Sequence, residues 1–63
     1  MNDGVGERIR AWRRRRGGMT QQVLAGLAGL SQAYISDIES GRRPLDKKAT
    51  QISIANALNV SVT

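Results

Sequence analysis

Cysteine and histidine are both missing from this 63-residue sequence. Their absence removes disulfide stapling, thiol nucleophiles and the usual zinc ligand sets together, and it leaves the redox compartment unspecified. Acidic residues are few, five against ten Lys and Arg, and no two form an evident catalytic pair. With no glycine-rich phosphate loop after a strand either, the sequence predicts neither an enzyme nor a cofactor. No run approaches the ~18–20 apolar residues of a membrane span. The only aromatics are Trp12 and Tyr34, which with a single amphipathic stripe argues against an RNA-stacking surface or a membrane-lying helix.

What is present is basic charge in a particular arrangement. The formal charge is +5, and six of the eight arginines lie between Arg8 and Arg16. The other two, Arg42 and Arg43, stand near Lys47 and Lys48, and the stretch from Gly17 to Gly41 carries no Lys or Arg. A plain solvated basic surface needs no such segregation. Two cationic blocks around a neutral centre suit a protein that grips phosphates at its edges and reads something between them.

The segment RRRRGGMTQQVLAGLAGL, Arg13 to Leu30, has the outline of a twin-arginine export signal. A secretory apolar region needs roughly 7–15 residues and a small-residue cleavage site. VLAGLAGL only just reaches that length, and cleavage near LSQA would leave too little chain for an unstapled domain. The helical reading is preferred: a chain this short holds one small domain, stabilised by packing alone and therefore all-α with short loops.

Residues 1–4 are read as a tail. Val5, Ile9 and Trp12 recur at i, i+4 and i+7, predicting a first helix over about 5–16. Arg16 extends that stripe to the helix end, Arg10 and Arg14 point away from it, and Glu7 is placed to pair with Arg10. Gly17 and Gly18 stop the helix. Thr20 is an N-cap for a helix over about 20–28, with Leu24, Leu27 and Ala28 inward and Gly29 at its end. Ser31 caps a third helix over about 31–40, with Ile35 and Ile38 inward and Gly41 as its C′ residue. The tight turn between these two forces a steep crossing, for which Ala25, Ala28 and Gly29 supply small contacts. After Pro44, Asp46 is expected to cap a fourth helix over about 47–58 with Ala49, Ile52, Ala55 and Leu58 on its stripe and Asn59 at its exit. Ser61 reads as the cap of a fifth helix, or a linker, cut short at Thr63.

Counted from Gln21 as one, Ala25 is fifth, Gly29 ninth and Ile35 fifteenth. This spacing resembles the helix-turn-helix pattern: five faces the second helix at closest approach, and nine needs positive φ. Together with SQAYISDIESGRRP and the arginines upstream, it resembles the phage-repressor and Cro-like (xenobiotic-response-element type) family over about Val5 to Val60. The resemblance implies a compact four- to five-helix lambda-repressor-like fold with the fifth helix truncated. It also implies sequence-specific binding of double-stranded DNA by a cytoplasmic, nucleoid-associated transcriptional regulator, expected to be a repressor.

On a helical projection Ala33, Ser36, Asp37 and Ser40 face away from the Ile35/Ile38 stripe, with Tyr34 on the flank. The resemblance places base contacts at Gln32, Ala33, Ser36 and Asp37. Gln32 suits adenine, Ala33 a thymine methyl, and Asp37 cytosine N4. Phosphate contacts are expected from Gln21, Gln22, Tyr34, Ser40, Arg42 and Arg43. Glu39 lies only about 40° from the Ile35 direction and so needs a partner. The family pairs a first-helix arginine with it: register from Ile9 and Trp12 gives Arg13, whereas counting back from Thr20 gives Arg14, which projects opposite the core stripe. One domain reads a half-site, so two copies, as a homodimer, on a near-palindromic operator are expected, with an effector or dimerisation domain beyond Thr63. The competing function is a protein-interaction module on the same fold, favoured by the scarcity of long polar side chains on the third helix.

Overall fold

The computed structural model describes residues 4–59. Four helices follow in order: α1 (Gly4–Arg15), α2 (Gln21–Ala28), α3 (Gln32–Ser40) and α4 (Lys48–Leu58), with no strand among the described residues. None of these helices is long and apolar enough to cross a membrane. Residues 1–3, where most of the expected tail falls, and the expected fifth-helix start at 61–63 lie outside the described residues. Gly4, assigned to the tail from sequence, is the first residue of α1.

Each helix ends where local chemistry satisfies its free backbone groups. Glu7 sits in the first turn of α1 and Arg13, Arg14 and Arg15 in its last, each sign complementing the helix dipole. Thr20 Oγ1 accepts from the Val23 amide at 3.1 Å and Ser31 Oγ from the Tyr34 amide at 3.1 Å, capping α2 and α3. Gly29 is left-handed at φ 74°, and Leu30 N–H returns to Ala25 O at 2.8 Å while Gly29 N–H reaches Gly26 O. Gly41 repeats the device at φ 86°, with Arg42 N–H donating to Asp37 O at 2.9 Å. Asn59 takes the same left-handed exit from α4. Asp46 does not cap α4: Lys47 holds the cap position, and its side chain has no capping acceptor to offer.

The core is built from Ile9, Leu24, Ala25, Ile35, Ile38, Ile54 and Leu58, with Met19, Leu30, Tyr34 and Leu45 packed at its edges. α2 packs on both α3 and α4, and α1 packs on α3. Leu24 and Ile35 are fully enclosed, each contributing on the order of 1.5–3 kcal/mol by burial. Ala25, also buried, lies where the α2–α3 turn folds back and its own carbonyl receives the Leu30 amide. A larger side chain there would push the two helices apart.

The expected stripes are corrected in three helices. In α1 the buried line is Gly6 and Ile9 with half-buried Arg13, whereas Val5 and Trp12 lie at the exposed rim. The cause is close approach: a Cβ on Gly6 would stand 2.5 Å from Ile38 O and 2.7 Å from Glu39 O, so α1 is rolled until its glycine meets α3. In α2, Leu27 is 61 % exposed, because α3 and α4 already occupy the Leu24/Ala25 side. In α4 the buried residues are Thr50, Ile54, Ala55 and Leu58, while Ala49 and Ile52 face out.

Candidate nucleic-acid interface

α3 is held by one side and presents the other. Ile35, Ile38 and Glu39 point inward, Gln32 and Ala33 are exposed, and Ser36 and Asp37 are half-buried. The four expected base readers therefore form the outer surface of α3, beginning at the Ser31 cap. Gln32 is the longest polar side chain among them, and Ala33 and Ser36 beside it keep the surface close to the helix axis.

Glu39 gathers the neighbouring elements. Its carboxylate is fully enclosed, with 0 % of the side chain exposed, yet every oxygen is answered. Arg13 Nε donates to Oε2 at 2.7 Å and Arg13 Nη2 to Oε1 at 2.9 Å, a two-pronged pair. The same guanidinium donates to Met19 O at 2.8 Å, tying the α1–α2 connection into the cluster. Gln21 Nε2 donates to Oε1 at 3.0 Å, and Arg10 Nε stands 3.5 Å from that oxygen. Burial pushes the Glu39 carboxyl up, but the bonds from Arg13 and Gln21, the charge of Arg13 and the bond from Arg10 outweigh it and hold the carboxyl below its ordinary value. Arg13 is pushed up in turn, first by its bond to Glu39.

Several residues make contacts within the domain that helical spacing does not predict. Gln21, an expected phosphate contact, turns its side-chain amide inward to Glu39, because an enclosed carboxylate competes better for a donor than solvent does. Ser40, another expected phosphate contact, is exposed, with its hydroxyl donating to Asp37 O at 3.2 Å. Arg10 does not pair with Glu7 but approaches Glu39. Gln22 remains exposed at the first turn of α2, where free amides favour an anion.

The two basic blocks meet at the end of α3. Arg10 and Arg13 converge on Glu39, and Arg42 and Arg43 follow just beyond the Gly41 turn. Arg42 and Arg43 donate their backbone amides to Asp37 O at 2.9 and 3.2 Å, so the basic turn is folded back on the helix. Arg42 Nη1 stands 3.5 Å from Asp37 Oδ1, an open contact of little energetic weight. The Arg43 guanidinium lies 4.8 Å above the Tyr34 ring. Part of the first block goes elsewhere: Arg15 and Arg16 stack on Trp12 at 5.5 and 6.0 Å, and Arg16 donates to Asn59 O at the end of α4. Neither the Tyr34–Arg43 stack nor the Gln21 bond was readable from sequence, since both join residues that helical spacing leaves unrelated.

Residues 5–63 match a protein family described as a helix-turn-helix domain. The fold is similar to the crystal structure of the restriction-modification controller protein C.AhdI from Aeromonas hydrophila. That match has a TM-score of 0.83 and 31% identity, and it covers 92% of this chain and 85% of that one. A search of curated protein sequences finds no match. With α2 and α3 joined through a left-handed glycine, and with the family matched over nearly the whole length, the chain belongs to the Cro- and xenobiotic-response-element-type helix-turn-helix family of non-enzymatic, DNA-binding transcription regulators.

Proposed function

We propose that this domain binds double-stranded DNA in a sequence-specific manner as a transcriptional repressor at the nucleoid, with α3 lying in the major groove. The observation that carries the reading is the outer surface of α3: small side chains around one long amide, bordered at the C-terminal end by Arg42 and Arg43. Small residues let the helix sit deep, and Gln32 can pair with adenine N6 and N7 through both ends of its amide. Ala33 fits a thymine methyl, Ser36 suits a base edge of either polarity, and Asp37 accepts from cytosine N4 while repelling misplaced phosphates. Gln22 and the two arginines supply phosphate contacts, joined by the backbone amides at the start of α2. Similarity to a restriction-modification controller protein supports the regulatory role. Because one α3 spans one half-site, two copies on a near-palindrome about one helical turn apart give the useful affinity, whether joined through this domain or through further chain.

The test is selection of duplexes from a randomised library, followed by binding across a salt series. Specific binding gives a recoverable consensus and affinity that falls steeply with salt. Gln32→Ala costs about 1–3 kcal/mol on the selected duplex and relaxes preference at one base pair. A protein-interaction module, the reading favoured by the single long polar side chain on α3, gives neither a consensus nor a salt slope.

A further inference from the structure

Arg42 and Arg43 are adjacent in sequence, but their surroundings differ. The Arg42 side chain is 75 % exposed and stands 3.5 Å from Asp37 Oδ1. The Arg43 guanidinium carbon lies over Tyr34, 4.8 Å from the ring centroid. We propose that Tyr34 is a positioning residue whose ring face holds the Arg43 guanidinium beside α3, aimed for a DNA phosphate. In this arrangement its hydroxyl is not the DNA contact. The inference rests on the DNA-binding reading above.

The platform is fixed at two points, and the arginine at a third. Tyr34 packs its ring against the core cluster, its amide is tied to the Ser31 cap at 3.1 Å, and the base of Arg43 is pinned by the amide bond to Asp37 O at 3.2 Å. A guanidinium stacked on a ring uses its π face, so its N–H groups, which lie in its own plane, stay available for the two oxygens of a phosphate. An arginine in open solvent must surrender rotamer freedom when it docks; one already stacked has less to lose. Arg43 is therefore the better prepared of the two, although Arg42 is the more exposed.

The experiment measures affinity for a mixed-sequence duplex of about two helical turns over a salt series, with the wild type, Tyr34→Phe, Tyr34→Leu, Arg43→Ala and the double variant Tyr34→Leu/Arg43→Ala. Tyr34→Phe keeps the ring and binds like the wild type. Tyr34→Leu binds about two- to fivefold more weakly, the size of an exposed cation–π contact. Arg43→Ala lowers the salt slope by about one, and the double variant is no weaker than Arg43→Ala alone. Tyr34→Trp, measured alongside these, keeps a π face and binds more tightly than Tyr34→Leu, which separates loss of the platform from loss of packing. In the free protein, ring-current shifts of the Arg43 side-chain protons are present in the wild type and Tyr34→Phe and absent in Tyr34→Leu. Equal weakening by Tyr34→Phe and Tyr34→Leu, additive losses in the double variant, or unshifted Arg43 protons in the wild type each overturn the proposal. Failure of the wild type to bind duplex at any salt overturns the DNA reading as well, and the ring-current measurement still reports whether the stack exists.

Discussion

Replacing Gly6 by alanine sets two effects of opposite sign against each other in one helix. Gly6 lies inside α1, where alanine is favoured over glycine by about 1 kcal/mol from backbone entropy alone. Sequence reasoning therefore expects Gly6→Ala to stabilise the domain. The structure predicts the reverse. The added methyl would meet two α3 carbonyl oxygens at 2.5 and 2.7 Å, where ordinary contact begins at 3.4 Å, and neither oxygen belongs to a flexible side chain. Relief requires α1 to withdraw from the end of α3 by most of an ångström, which stretches the 2.7 and 2.9 Å bonds from Arg13 to Glu39. Overpacking of this kind costs about 1–3 kcal/mol, so the net effect is a loss of up to roughly 2 kcal/mol once the propensity gain is subtracted. Gly26 is the control: it lies in the helical part of α2, and a Cβ there meets nothing within 4 Å. Gly26→Ala gains about 0.5–1 kcal/mol. In a domain this small each kcal/mol moves the melting temperature by about 4–8 °C, so thermal melts followed by circular dichroism resolve both signs. Gly6→Ala melting above the wild type, as Gly26→Ala does, would refute the close approach of α1 to α3.

Two further predictions follow from the Glu39 cluster and the α4 cap. Glu39→Gln leaves Arg13 with a neutral partner in an enclosed site and costs about 3–5 kcal/mol at neutral pH. Because the folded Glu39 pKa is depressed, the stability it supplies is complete above the ordinary carboxylate value, near 4.5, and is lost as pH falls below it through the folded value. The gap between wild type and Glu39→Gln, read from urea melts at stepped pH, should therefore narrow only in acid; a constant gap would mean that the carboxylate charge is not what stabilises the fold. Lys47→Asp supplies the missing side-chain acceptor at the start of α4 and removes a cation from the positive end of its dipole, raising stability by about 1 kcal/mol in the same melts.

The helix ends were legible because their determinants are local. Thr20, Ser31, Gly29, Gly41 and Asn59 act on backbone groups within a few residues, so the sequence neighbourhood contains the whole interaction. The buried faces were less legible, for two different reasons. On α4 the expected Ala49, Ile52, Ala55, Leu58 ladder steps by three throughout, and each step drifts about 60° around a 3.6-residue helix, which places its two ends on opposite sides. The observed Thr50, Ile54, Leu58 line steps by four and drifts less. On α1 the error was chemical. An apolar stripe through Trp12 was preferred to one through Gly6 and Arg13, although glycine marks where another backbone comes close, and the arginine is drawn in by a carboxylate twenty-six residues away. On α3 the outward placement of Gln32, Ala33, Ser36 and Asp37 follows from its periodicity, whereas the inward turn of the Gln21 amide depends on a carboxylate eighteen residues away that helical spacing does not reveal.

That competition explains why an enclosed carboxylate is retained in so small a core. A buried ion pair gives little net stability compared with apolar side chains of the same volume, since both charges must leave water. Its advantage is direction. Hydrophobic packing between helices of eight to twelve residues tolerates small rotations, whereas the two-pronged bond from Arg13 and the single bond from Gln21 have defined geometry. Through Glu39, α1 and the first residue of α2 are both fastened to the last turn of α3. The angle at which α3 stands out from the body is thus fixed at its C-terminal end by hydrogen bonds and along its length by Ile35 and Ile38. On the proposed DNA-binding reading, a helix that brings mostly short side chains to base edges, with Gln32 the one long amide, has little with which to absorb an error in tilt. The shorter its readers, the more its tilt must be set by groups that cannot slide.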